Sequence, residues 1–94
     1  MRLILYSKPG CHLCEGLQEK LEQIQNLNFE LEIRDITTRD DWFQAYQYEI
    51  PLLFLETPSP HPIPIPRPSP RASVTQLERM LQKYLSESSE NETK

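Results

Sequence analysis

Two cysteines, Cys11 and Cys14, are the only ones in a chain of 94 residues, and they are spaced C-x-x-C. They sit in Tyr6-Ser7-Lys8-Pro9-Gly10-Cys11-His12-Leu13-Cys14-Glu15-Gly16-Leu17, where a strand-like run gives way to a helical one. Before them, Arg2-Leu3-Ile4-Leu5-Tyr6 is short and rich in apolar β-formers. After them, Leu13, Leu17, Leu21 and Ile24 recur with the period of one buried helix face, and Pro9-Gly10 between the two is a turn signal. Cys11 is thereby placed at or just before a helix N-terminus, with Cys14 one turn further in. A thiol there faces unpaired backbone N–H groups and the positive end of the helix dipole, both of which favour the thiolate. Such placement lowers a cysteine pKa from about 8.5 to roughly 3.5–7.5. The chemistry that follows is thiol–disulfide exchange, with Cys11 as nucleophile and Cys14 as resolving thiol. His12 has two readings, one in which it helps hold the thiolate and one in which it points to solvent.

Length and charge bound the remaining possibilities. A chain of 94 residues supports one small core. The net charge is −4 and the basic residues are scattered, so no electrostatic footprint for nucleic acid is present. No apolar run approaches the roughly 18 residues that a membrane span needs. The apolar run before Ser7-Lys8 is too short for a signal-peptide core, so the expected compartment is the reducing cytoplasm. There a close cysteine pair is catalytic or metal-binding more often than a structural staple. Its disulfide would close a very small loop and constrain the unfolded chain little.

The elements that must position the pair can be read in order. Residues 2–6 form a first strand, apolar on both faces and therefore central. Residues 12–26 form a helix with Glu15, Glu19, Glu22 and Gln23 on its solvent face. Gly16 costs this helix about 1 kcal/mol relative to alanine; either close packing compensates, or the glycine is simply tolerated. Phe29 to Ile36 alternates apolar and polar residues, as a half-buried strand nearer the sheet edge does. Strand, helix, strand in this compass is a βαβ unit with parallel strands. Thr37 or Thr38 then caps a second helix that carries Asp40 and Asp41 in its first turn, places Trp42, Phe43 and Tyr46 in the core, and ends near Tyr48-Glu49. A third strand covers 51–56.

Prolines then occupy every second position from 58 to 70. In a strand, this period aims every missing N–H to the same, outward side, which an edge strand tolerates. Residues 62–67 are therefore expected to form an antiparallel edge strand with Ile63 and Ile65 on the core face. A polyproline ligand is the other reading, but such ligands place prolines three apart and no pair in this segment has that spacing. Ser73-Val74-Thr75-Gln76 fits a capping box before a last helix whose stripe is Leu77, Leu81, Tyr84 and Leu85. The folded domain is expected to span 1–85, with 86–94 a disordered polar tail.

This order of elements, with C-x-x-C opening the first helix, resembles the thioredoxin fold, an α/β architecture with a four-stranded mixed sheet and three helices. Leu3 to Cys14 resembles the first strand and active-site turn of a glutaredoxin, Asp35 is similar to the aspartate that usually ends the second strand, and Ile50-Pro51 stands where that family carries a cis-proline. Within the superfamily, the chain most resembles small glutaredoxin-like proteins with a Cys-His-Leu-Cys centre. The resemblance implies that Cys11 attacks, that Cys14 resolves, that Pro51 is cis and that the Ile50 backbone is free to pair with an extended peptide or glutathione. Lys8 would stabilise a thiolate or contact a carboxylate, against the plain reading of an exposed lysine. Tyr6 either lines the site or packs. Where glutaredoxins carry a Gly-Gly turn after the last strand, this chain has Arg67-Pro68-Ser69-Pro70-Arg71, whose prolines donate no hydrogen bonds. Arg67 or Arg71 would supply a charged fork to a carboxylate instead, against the reading of ordinary surface arginines.

The expected activity is a dithiol oxidoreductase acting on a disulfide-containing protein or on glutathione, as a monomer, with no cofactor beyond glutathione as a possible co-substrate and no metal. A metal or iron–sulfur carrier is the alternative from another class, although two thiolates supply half of a tetrahedral site and His61 is an isolated loop histidine. A redox-inert binding module that keeps the fold is the third.

Overall fold

The structure, a computed structural model, describes residues 2–58 and 60–93. Strand β1 (Arg2–Ser7) buries all of its residues but the first, and the other elements are laid against it. Its parallel neighbour is β2 (Glu30–Asp35), reached through helix α1 (His12–Glu22). Its antiparallel neighbour is β3 (Leu52–Glu56), with Leu5 opposite Leu53 and Ile4 opposite Phe54. Strand β4 (Ile63–Ile65) closes the other edge, antiparallel to β3, giving the order β2-β1-β3-β4. Helix α3 (Val74–Thr93) returns beside α1, and the short helix α2 (Asp40–Tyr46) lies between β2 and β3 in sequence.

Alternation along β1 divides the molecule into layers. Leu3 and Leu5 face α1 and α3, where they pack with Leu17, Leu21, Leu77 and Leu81. Ile4 and Tyr6 face the other way, toward Ile36 and the aromatic residues of α2. A strand covered on both sides must be apolar at successive positions, as β1 is. Each fully buried leucine of this core contributes roughly 1.5–3 kcal/mol relative to an exposed one.

Several boundaries differ from the sequence reading. Helix α1 stops at Glu22 rather than near 26, because the N–H groups of Gln23 and Ile24 turn back to the carbonyls of Lys20 and Leu21, a tightened last turn. Ile24 is still buried beyond the helix end. Leu13, expected on the buried stripe, is 51 % exposed, because Cys14 takes the inward position in the first turn. Neither threonine caps α2. The Asp35 carboxylate accepts from both the N–H and the hydroxyl of Thr37 (2.8 and 2.6 Å) and caps a 3-10 turn over Ile36–Thr38. Arg39 precedes α2 with no side-chain cap, its guanidinium paired instead with Asp41. The last turn of α2 ends at Tyr46, and Glu49 and Ile50 both donate to the Tyr46 carbonyl, folding the chain toward Pro51; a residue before proline is disfavoured in a helix.

Trp42, Phe43 and Tyr46 are half-buried rather than core, since one short helix covers this face and leaves the rings' outer edges open. Strand β4 is shorter than the expected 62–67. It holds only Ile63–Ile65, with Ile63 opposite Leu55 and Ile65 opposite Leu53, and both isoleucines on the core face. Pro62, Pro64 and Pro66 share one strand parity, so their missing N–H groups fall on the outward side and leave that edge without donors. Helix α3 runs past Leu85 as far as Thr93, so the segment from 86 to 93, expected to be disordered, is helical backbone; once a helix is nucleated, each further residue adds a hydrogen bond at small cost. Lys94 lies outside the described residues.

The capping box that starts α3 is formed in both directions. Gln76 N–H donates to Ser73 Oγ (3.1 Å), and Ser73 N–H donates to Gln76 Oε1 (2.9 Å). Ser73→Ala is expected to lower stability by about 1 kcal/mol, read as a lower urea midpoint at unchanged slope, because α3 supplies Leu77 and Leu81 to the core.

Candidate functional site

The chain leaves β1 at Ser7 and turns through Lys8, Pro9 and Gly10. Gly10 has φ +82°, a left-handed conformation that a side chain disfavours. The Cys11 N–H closes this turn on the Lys8 carbonyl (3.2 Å). Cys11 is the N-cap of α1: its backbone is extended, its carbonyl accepts from Glu15 N–H (3.0 Å), and its Sγ accepts from Cys14 N–H (3.2 Å). The two cysteines form a disulfide, with Cα atoms 5.2 Å apart. The pair is asymmetric. Cys11 is half-exposed, whereas Cys14 is 1 % exposed under the first turn of the helix. When the disulfide opens, the Cys14 N–H and the helix N-terminus both favour negative charge on Cys11.

The peptide bond between Ile50 and Pro51 is cis, and Pro51 is buried. Pro51 lines a cavity of about 300 Å³ together with His12 and Leu13, the two residues that follow the half-exposed cysteine. The Ile50 backbone is not free, contrary to what the resemblance implies. Its N–H donates to the Tyr46 carbonyl (3.2 Å) and its C=O accepts from the Arg67 guanidinium (3.2 Å). Arg67 also donates to the Glu49 carbonyl. An arginine read from sequence either as a fork to a substrate carboxylate or as a surface residue is here a brace on the loop before Pro51.

The other residues that the sequence singles out divide between solvent and packing. The Lys8 side chain is exposed at the turn. His12 points to solvent, its side chain 94 % exposed and its Nδ1 3.7 Å from Glu15. Arg71 is exposed and outside the cavity lining, its N–H bonded to Ser69 Oγ. Tyr6 packs rather than lining the site. It is buried against Trp42, Tyr46 and Phe54, and its hydroxyl accepts from Arg34 (2.9 Å). Arg34 lies over the rings of Tyr6 and Trp42 and pairs with Glu32. Burial opposes the Arg34 charge, but the hydrogen bonds to Glu32 and Tyr6 outweigh it and raise its pKa. Burial disfavours the Tyr46 phenolate and so raises that pKa above its ordinary value.

Sequence reasoning missed the cavity itself. Its walls are the first turns of α1 and the segment from Pro68 to Ala72, held together by Lys20 Nζ donating to the Pro70 carbonyl (2.7 Å). The available signal was Gly16, a helix-interior glycine that lines the cavity. A Cβ built there meets nothing within 4 Å, so close packing is not the reason for the glycine.

Comparison with known proteins agrees with this geometry. The family model described as Glutaredoxin-like domain (DUF836) matches residues 2–82. No curated protein matches the sequence significantly. Among solved structures, thioredoxin 1 from the thermophilic eubacterium Thermosipho africanus superposes with a TM-score of 0.63 at 18% identity, covering 95% of this chain and 99% of that one. At that identity the likeness is one of fold.

Because the space beside Gly16 is open, Gly16→Ala is expected to stabilise the protein by up to about 1 kcal/mol through helix propensity. Thermal unfolding followed by circular dichroism would show this as a rise of roughly 4–8 °C; a fall would mean that the helix needs the glycine for packing.

Proposed function

The chain belongs to the glutaredoxin-like domain family, and on that premise we propose that it is a thiol–disulfide oxidoreductase working through Cys11 and Cys14. The observation that carries this reading is the asymmetry of the pair, one sulfur half-exposed at a helix N-terminus and the other buried beneath it. Reduced Cys11, as thiolate, attacks one sulfur of a substrate disulfide. A bond forms between Cys11 Sγ and that sulfur, the substrate S–S bond breaks, and the departing thiolate takes a proton from solvent. Cys14 then attacks Cys11 Sγ, releasing the second substrate thiol and leaving the Cys11–Cys14 disulfide. Two electrons pass from protein to substrate, and a cellular dithiol or two glutathione molecules return them. Burial suits Cys14 to this step alone, because it reaches Cys11 but not a bulky external disulfide.

Pro51 and the cavity it lines with His12 and Leu13 supply a surface for the substrate next in sequence to Cys11. The partner is a disulfide-bearing protein or peptide, or glutathione, and the compartment is a reducing one. No helix among the described residues is long and apolar enough to cross a membrane.

Cys11→Ser is expected to reduce disulfide reductase activity to background. Cys14→Ser should accumulate a mixed disulfide on Cys11, seen by mass spectrometry as the substrate's added mass. Alkylation of the reduced wild type by iodoacetamide should reach half its plateau at a pH below the value of about 8.5 for an ordinary thiol. Retained turnover in Cys11→Ser would sink the assignment.

A further inference from the structure

The cavity lined by Pro51 and by the two residues that follow Cys11 has a chemistry of its own. Leu13 and Leu17 on α1 and Leu77 on α3 give it an apolar lining, and Leu13 is the half-exposed leucine that the core does not use. Gly16 keeps the α1 wall open where any side chain would begin to fill it. Pro68 and Pro70 on the facing wall have no N–H, so this wall cannot grip a ligand through their amides. The cavity is thus shaped for an apolar side chain rather than for a polar ligand held by main-chain donors.

Its charge is equally one-sided. Among the described residues no acidic side chain lines the cavity, and the two lining residues with permanent charge, Lys20 and Arg67, are both cations. Each donates only to neutral backbone carbonyls, Lys20 to Pro70 and Arg67 to Glu49 and Ile50. A carboxylate is the stronger acceptor, since charge-assisted hydrogen bonds are roughly twice as strong as neutral ones. A carboxylate entering the cavity would draw Arg67 off the Ile50 carbonyl. That carbonyl, adjacent to cis Pro51, would then be open to an N–H of an extended substrate.

We propose that this cavity is a specificity pocket for peptide disulfides in which the cysteine is followed by a bulky apolar side chain and a carboxylate, with Arg67 reading the carboxylate. The assignment rests on the oxidoreductase reading above and names its substrate class. It places oxidised glutathione among the poorer substrates, because glutathione offers the cavity no bulky apolar group.

The test uses mixed disulfides of acetyl-Cys-Leu with a free carboxylate, the same peptide amidated, and acetyl-Cys-Ser with a free carboxylate, all sharing one leaving thiol, beside oxidised glutathione. The leucine acid should give the highest kcat/KM, about tenfold above its amide, the size of one charge-assisted hydrogen bond, and about tenfold or more above the serine acid. Arg67→Gln should remove the acid-over-amide ratio, and Gly16→Leu, which fills the cavity, should remove the leucine-over-serine ratio. Equal rates for leucine and serine, preference for glutathione, or an acid-over-amide ratio intact in Arg67→Gln would each overturn the pocket. Calorimetric titration of the S-methylated peptides onto the oxidised protein separates the two readings, because it requires no redox step. The same affinity order with no turnover of any disulfide would discard the oxidoreductase reading and keep the pocket; turnover without that order would do the reverse.

Discussion

Burial of β1 on both faces is the constraint from which the rest of the structure follows. A strand with Leu3 and Leu5 on one side and Ile4 and Tyr6 on the other must be covered by two layers. Helices α1 and α3 supply one layer and α2 with the 3-10 turn supplies the other. The parallel crossover to β2 then puts the start of α1 at the C-terminal end of β1, which is where ligands meet sheets of this kind. Cys11 stands at the helix start because the chain must turn there from strand to helix, and Gly10, at φ +82°, makes that turn possible. The position of the cysteine pair is a consequence of covering the central strand.

The second constraint is the alternation of proline after β3. A short antiparallel ladder of three residue pairs, Leu53 with Ile65, Phe54 with Pro64 and Leu55 with Ile63, joins this segment to β3. It is enough to seat two isoleucines in the core and to carry the chain back toward Pro51. Beyond it, Arg67 and Lys20 do with side chains what backbone donors do in a longer ladder. Arg67 ties the loop before Pro51, and Lys20 ties the Pro70 turn to α1. Substituting side-chain for main-chain donors leaves the site adjustable, since a guanidinium can exchange partners without a change in strand register.

The lower face shows a different balance. Trp42, Phe43 and Tyr46 have the spacing of a core stripe, yet they end half-buried because α2 is too short to bury them. Arg34 and Arg39 lie over the Trp42 ring and add partial cover. The polar alternation of β2 marks Arg34 as a solvent-facing residue, and only the register of β2 beside β1 brings it onto Tyr6. The threonines before α2 fail to cap it for a related reason. Asp35 competes for the same turn, and its carboxylate engages two Thr37 donors at once.

By itself the sequence determined the placement of the cysteine pair at a helix start, the doubly buried first strand, the parallel unit around α1, the proline-bounded edge and the capping box of α3. These are local patterns, and period, turn residues and capping spacing carry them without reference to distant parts of the chain. Tertiary structure decided what depends on contacts between segments remote in sequence. It withdrew Leu13 from the core and gave it to a cavity, engaged the Ile50 backbone, and turned Arg67 back onto the loop before Pro51. It also left Gly16 facing open space. Residues 16 and 67 are far apart in the chain and meet on one cavity only after α1 and the proline segment are laid side by side, so no spacing rule could have paired them.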